Sequence, residues 1–262
     1  MCFGVRDAIN FAQSKVADHP ITVMGELVHN TTVLNDLKKR GVRFEDKPEQ
    51  VETKSAMITA HGASNRTRNR AKAAGLQISD ATCPLVHYAH KQILELTAIG
   101  YHPIIIGRLG HVEVRGLTED LSEYDVVLCE DEINALTAKP RFGVVAQTTQ
   151  PIARVRALVK HLKSGFPNSE VRFIDTVCKP TKQRQSAAEK LARKSDMVLV
   201  VGGINSNNTH ELMRTCRRFC ERVHHVQGPD EILAEWLFDT DTIGITAGTS
   251  TPDELIDAVE NR

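Results

Sequence analysis

Three cysteines occupy corresponding places in this chain of 262 residues: Cys2 in "MCFGVRDAIN", Cys83 in "DATCPLVHYAH" and Cys178 in "FIDTVCKPTKQRQ". Each precedes a segment patterned as a helix, and the two internal ones follow short apolar runs. A sulfur at a helix start lies at the positive end of the macrodipole, which favours the thiolate. Three sulfurs from remote segments suit a cuboidal iron–sulfur cluster held at three irons. Such clusters usually take four cysteines, and a missing fourth leaves one iron open for chemistry. Taken singly, each cysteine reads better as a small buried hydrophobe than as a ligand. Their shared position sets them apart from Cys129, Cys216 and Cys220, which read as core or surface thiols. No C-x-x-C pair occurs, so neither a zinc ribbon nor a thioredoxin motif is signalled.

Polar loops recur with the same regularity. His29 lies in "GELVHN", His61 in "TAHGAS", His111 in "GHVEVRG", Thr148 in "AQTTQ", Ser206, Asn207 and Asn208 in "INSNN", and Ser250 in "AGTSTP". Imidazoles, hydroxyls and amides beside free backbone N–H groups at helix starts can bind phosphate oxygens. Helix capping is the plain alternative for "INSNNTHEL" and "GTSTPDEL". Neither G-x-x-x-x-G-K-[ST] nor G-x-G-x-x-G is present, so nucleotide and dinucleotide binding gain no support. Glu113, two residues after His111, reads as a proton donor beside a metal and an anion, or else as a surface carboxylate on a loop.

The elements that must position these residues alternate apolar runs with helical patterns, which predicts an α/β protein with mostly parallel sheets. Ten strands are expected, near 21–25, 56–60, 76–79, 102–107, 124–129, 142–147, 171–175, 197–203, 223–226 and 242–248. Helices are expected to start near 3, 31, 65, 84, 131, 151, 181, 208, 229 and 252. The elements repeat in thirds, giving three α/β modules, 1–83, 84–177 and 178–262, around a central iron–sulfur site. The first begins with its helix, so its first strand is absent. That implies a start upstream or a truncated fragment, an uncovered sheet edge, and a fraying terminus at Cys2.

Totals narrow the class. Lys+Arg and Asp+Glu are both 33, a net charge of zero, which argues against binding nucleic acid through a strong basic field. Aromatics at 5% do not suggest base-stacking surfaces. No apolar run approaches a membrane span, and no secretory pattern opens the chain, so a cytoplasmic setting with reduced thiols is expected.

Together "CFGVRDAI", "GELVHN", "AHG", "DATCPLV", "GHVEVRG", "AQTT", "NSNN" and "AGTSTPD" resemble the 4-hydroxy-3-methylbut-2-enyl diphosphate reductase family, IspH or LytB, in order from residue 2 to about 260. The resemblance implies three α/β modules around a central [4Fe–4S] cluster held by Cys2, Cys83 and Cys178. It implies a two-electron reductive dehydroxylation of an allylic diphosphate to isopentenyl and dimethylallyl diphosphate, in the methylerythritol phosphate route to isoprenoids. His29, His61, Ser206, Asn208 and Ser250 would hold the diphosphate, with Asn207 beside them. His111, Glu113 and Thr148 would surround the substrate hydroxyl, Glu113 supplying protons. Electrons would come from a ferredoxin or flavodoxin, since no flavin or nicotinamide motif is visible. Two departures stand out. Asn207 occupies the middle of a motif usually Ser-Ser-Asn, and "CKPTKQRQ" differs from the usual C-x-A-T-x-x-R-Q. The rival readings are an inactive truncated homologue, a redox-sensing iron–sulfur protein, and a three-cysteine zinc hydrolase.

Overall fold

The computed structural model describes residues 1–262. Its eleven strands form three separate, wholly parallel sheets. The first contains β1 (Ile21–Met24), β2 (Arg43–Glu45), β3 (Ser55–Ile58) and β4 (Gln77–Asp80), in the order β2-β1-β3-β4. The second contains β5 (His102–Ile106), β6 (Asp125–Val127), β7 (Arg141–Ala146) and β8 (Glu170–Phe173), in the order β6-β5-β7-β8. The third contains β9 (Met197–Val201), β10 (Arg222–Val226) and β11 (Ile243–Ala247), in the order β10-β9-β11. The first two sheets thus share one strand order, and the third repeats its first three places. The sheets lie within 1–83, 84–177 and 178–262.

Ten α-helices cover them: α1 (Phe3–Asp18), α2 (Thr31–Lys39), α3 (Asn65–Ala73), α4 (Pro84–Ala98), α5 (Val112–Thr118), α6 (Glu130–Asn134), α7 (Ile152–Gly165), α8 (Lys179–Ala192), α9 (Asn207–Cys216) and α10 (Asp253–Glu260). Helices on both faces make the central strands read as unbroken apolar runs rather than alternating ones. Ile104, Ile105 and Ile106 of β5 are all buried, Ile104 and Ile106 towards α7 and Ile105 towards α4. Burial of each such side chain stabilises the fold by roughly 1.5–3 kcal/mol. No helix is long and apolar enough to cross a membrane.

The ten expected strands are present, and four expectations need correction. The strand β2 was not anticipated: it is a three-residue edge strand with an exposed arginine and no fully buried residue. The helix α5 was not anticipated either, so Glu113 is helical and buried, not on a surface loop. The helix expected from 229 is two short 3₁₀ turns, Pro229–Glu231 and Ala234–Leu237. The Arg222 guanidinium claims the carbonyls of Trp236, Phe238 and Asp239, groups a continuing helix would have to use itself. Finally, the first sheet has four strands and the third has three. By topology, the position leading into Cys2 is the one beside β11, as β4 beside β3 leads to Cys83 and β8 beside β7 leads to Cys178.

The thirds are joined in a ring. The Cys83 backbone N–H donates to the Ala60 carbonyl (3.1 Å), that of Cys178 to Thr148 (2.9 Å), and that of Cys2 to Thr249 (2.9 Å). Each cysteine therefore opens the helix of one third while tied to the loop after the third strand of the preceding sheet, and the last bond closes the circle. The terminal ammonium of Met1 also pairs with Asp253 at 2.8 Å, so Cys2 is held rather than frayed. This ammonium, with Arg6 and Arg184, holds the Asp253 carboxyl below its ordinary range. Between the first two thirds, Asp120 accepts the first backbone N–H groups of α3, Asn65 at 2.6 Å and Arg66 at 3.0 Å. One third thus supplies the helix cap of another.

Candidate active site

Cys2, Cys83 and Cys178 are the N-cap residues of α1, α4 and α8, as their sequence context predicted. The Cys178 sulfur lies 3.4 Å from the Thr181 N–H and 3.0 Å from its hydroxyl. The helix dipole was expected to lower these thiol pKa values, but at Cys83 and Cys178 burial wins. It pushes Cys83 and Cys178 up, against the N–H groups of Leu85 and Val86 and the Thr181 contacts respectively. The charges of Cys2 and Glu113 raise both further, which places the four groups in one neighbourhood. Buried thiols of this kind ionise on meeting a metal, releasing protons as it binds. No three Cys, His, Asp or Glu side chains converge as ligands of a single metal ion. Three thiols at helix starts, with Cys2 near enough to raise the other two, are a donor set suited to an iron–sulfur group.

The backbone yields to this centre at Gly4. A Cβ there would lie 2.6 Å from the Cys83 sulfur and 3.0 Å from its Cβ. Gly4→Ala must push the Cys83 thiol aside, an overpacking cost of about 1–3 kcal/mol. We expect a folded protein that binds clearly less iron than the parent after anaerobic reconstitution, measured by iron per chain.

A second cluster gathers the histidines. The His29 and His61 rings stack at 4.4 Å between centroids, and His111 stands edge-on at 5.2 Å from His29 and 5.9 Å from His61. Desolvation, with repulsion from His29, holds His61 well below its ordinary range and lowers His111 to about 3. Both are neutral at physiological pH. His111 is also the N-cap of α5, its Nδ1 accepting the Glu113 N–H at 3.1 Å, which leaves the proton on Nε2. Nε2 of His29 and Nδ1 of His61 are buried with no partner.

The third module reaches the same place. Ser206 is the N-cap of α9, its Oγ accepting the Thr209 N–H at 3.3 Å, so the capping alternative holds for that oxygen while its hydrogen stays free to donate. Asn208 is 2% exposed, and both its amide atoms lack partners. Ser250 donates to the His29 carbonyl at 3.3 Å. A Cβ on Gly203 would strike that carbonyl at 2.3 Å, so only glycine lets these loops approach so closely. Asn207 turns away: its Nδ2 donates to Thr149 Oγ1 at 3.0 Å.

Glu113 sits between the two clusters, 2% exposed. Its Oε1 accepts the Thr148 N–H at 2.6 Å, and its Oε2 accepts the Thr148 hydroxyl at 3.1 Å. Desolvation outweighs these bonds and raises its pKa to about 7. A carboxyl so poised can give up a proton near neutrality. Cys129 was not expected to begin a helix but does, at the exposed start of α6, whereas Cys216 and Cys220 are core thiols as read. Sequence reasoning passed over buried Glu211 and Gln150, for which "HELMR" and "TTQP" carried no recognisable pattern.

The chain is similar to known proteins over its full length. A curated relative from Trichlorobacter lovleyi, 4-hydroxy-3-methylbut-2-enyl diphosphate reductase, is 34% identical over 264 residues, covering all of this chain and 93% of the relative. One of the same name from Acinetobacter baumannii is 36% identical over 271 residues, covering all of this chain and 86% of the relative. Among solved structures, the E-1-hydroxy-2-methyl-but-2-enyl-4-diphosphate reductase of Plasmodium falciparum superposes with a TM-score of 0.94 at 28% identity, over all of this chain and 84% of that one. A second, described as the terminal enzyme of the non-mevalonate pathway, superposes with a TM-score of 0.71 at 31% identity, over all of this chain and 94% of that one. The model of the family described as LytB protein matches residues 1–262, and the chain belongs to that family.

Proposed function

We propose that the chain reduces 4-hydroxy-3-methylbut-2-enyl diphosphate, replacing its allylic hydroxyl by hydrogen to give isopentenyl and dimethylallyl diphosphate, the last step of the non-mevalonate route to isoprenoids. The overall change consumes two electrons and two protons and releases water. One observation carries this reading. A carboxyl with a pKa near 7 lies among three cysteine N-caps on one side and buried, unpartnered imidazole and amide atoms on the other.

In this reading Cys2, Cys83 and Cys178 hold a [4Fe–4S] cluster, which when bound supplies electrons and a Lewis-acidic iron. His29 and His61 turn their free ring nitrogens to the diphosphate. Ser206, Asn208 and Ser250 add donors, and the first N–H groups of α9 add the helix N-terminus. His61 starts neutral, so it does not repel its neighbours before the anion enters, and an anion's charge pulls its pKa back up. His111, through Nε2–H, and Thr148 frame the hydroxyl. Glu113 protonates it, so that it departs as water. Burial keeps bulk water from the site and strengthens each hydrogen bond in it.

Electrons come from a small carrier protein of the ferredoxin or flavodoxin class. Six unpaired cysteines suit a reducing compartment, the cytoplasm. The test is anaerobic reconstitution with iron and sulfide, followed by titration with the allylic diphosphate in the presence of a reduced viologen dye. A brown protein whose visible spectrum changes on substrate addition and which forms both products is expected. Colourless, zinc-loaded protein would support the hydrolase reading. A cluster blind to the diphosphate would support a redox sensor. Either outcome overturns the proposal.

A further inference from the structure

A partly buried polar network joins the second third of the chain to the third. Glu211 on α9 is 1% exposed. Its Oε1 accepts from Arg214 on the same helix at 2.6 Å and from Arg154 on α7 at 2.9 Å, while its Oε2 is buried without a partner. Arg154 also donates to the Gln150 side chain at 3.3 Å, and Gln150 in turn donates to Gln147 at 3.1 Å. Gln147 Oε1 accepts the backbone N–H of Arg108, the residue opening the loop to His111, at 3.0 Å. The second strand of the tie is the bond from Asn207 to Thr149, next to Thr148.

These contacts span the turn that holds the diphosphate and the turn that frames the substrate hydroxyl in the reading above. One turn, Ser206–Asn208, begins the very helix that carries Glu211. The other, 147–150, carries Thr148 and so fixes Glu113. Neither Arg154 nor Glu211 bonds to His29, His61, His111, Glu113 or Thr148, so neither is a catalytic residue in this reading.

We propose that Arg154 and Glu211 are positioning residues: their ion pair, reinforced by Asn207 on Thr149, latches the Ser206–Asn208 turn against the 147–150 turn and so preforms the anion pocket. This rests on the functional reading above and deepens it. With the latch broken, the free chain spends part of its time with the turns apart. Apparent affinity then falls by the fraction still closed. Once ligand saturates the site, the turns are together again and the reaction itself is unchanged. The signature is a weaker Kd and a higher KM at constant kcat.

The experiment compares the holoenzyme with Arg154→Gln, Glu211→Gln and the double variant. The probes are inorganic pyrophosphate by calorimetry, turnover of the allylic diphosphate, and amide hydrogen exchange across α9. Each single variant is expected to weaken pyrophosphate binding roughly tenfold, to leave kcat within about twofold, and to exchange faster along α9. The double variant is expected to lose no more than the worse single one, because both substitutions remove one contact. Unchanged affinity and exchange, or a fall in kcat at constant Kd, overturns the latch. Should Glu211→Gln fail to fold, Arg154→Gln carries the test alone, because Arg214 still partners Glu211. Hydrogen exchange reads the latch without any ligand. A parent that binds no pyrophosphate therefore sinks the functional reading, while unaltered exchange in the variants sinks the latch.

Discussion

Cys83→Ser is expected to leave the chain folded but without the broad visible absorption of an iron–sulfur protein and without reductase activity after anaerobic reconstitution. The substitution is nearly isosteric, and a smaller oxygen fits the space that Gly4 leaves beside residue 83. The N–H bond to Ala60 is made by the backbone and survives. What changes is ligand chemistry. Burial already raises the Cys83 thiol, so only a strong metal–sulfur bond draws the proton off. A serine hydroxyl is a far weaker acid and a harder donor, poorly matched to iron in a cluster. Two remaining sulfurs cannot hold a group that usually takes four. Circular dichroism matching the parent, with iron and sulfide content near zero, is the expected pair of results. Retention of both colour and turnover would remove Cys83 from the ligand set.

Glu113→Gln tests the proton donor with the scaffold intact. A glutamine keeps the shape, can still accept the Thr148 N–H, and can donate to the Thr148 hydroxyl in place of accepting from it. Substrate affinity should therefore change little, while kcat falls by roughly 10²–10⁴, the usual contribution of a positioned general acid. The parent itself carries a pH signature. Because burial raises Glu113 to about 7, the protonated form that can give up a proton is lost as pH climbs through 7, and kcat should decline there. The same shift has a stability sign. The folded pKa lies above the unfolded value of 4.5, so the group's stabilising contribution is complete below about 4.5 and disappears as pH rises through 7. The amount is on the order of 3 kcal/mol. Glu113→Gln should flatten that part of the stability profile, read by denaturant titration at pH 5 and pH 8. A variant with undiminished kcat would assign the proton to another group.

Much of this arrangement was legible before any coordinates, and the reason is repetition. A cysteine at a helix start is not distinctive by itself, since Cys129 occupies one too, capped with Glu132 in an exposed loop. What marked Cys2, Cys83 and Cys178 was the shared context of strand, polar loop and helix. Central strands such as β7 and β9 were readable because burial on both faces demands an apolar run. Three-residue β2 was not, because its stability comes from its neighbour rather than its composition. The helix α5 was hidden by β-branched Val112 and Val114 and by Gly116, all poor helix formers. Tertiary contact overrides that propensity: α5 packs so that a Cβ on Gly116 would lie 3.7 Å from the Ala63 backbone, and the His111 ring caps the first turn. Conversely, "PDEILAEWL" has a good helical pattern yet forms two 3₁₀ turns, with the Arg222 side chain engaging the carbonyls of Trp236 near its end and of Phe238 and Asp239 beyond it. The partners of Glu211 and Asn207 were unreadable because they lie 57 and 58 residues away in sequence, in elements whose approach only the assembled ring defines.

That ring has a consequence for how such a protein can be made and unmade. Each proposed sulfur ligand stands at a junction, anchored by its own amide to the adjoining segment. No fragment holding a single sheet would own a complete set, so loading cannot proceed piecemeal. Parting any one junction by heat or denaturant would dismantle the ligand set and open the circle in one act, so colour loss and unfolding should trace a single cooperative curve.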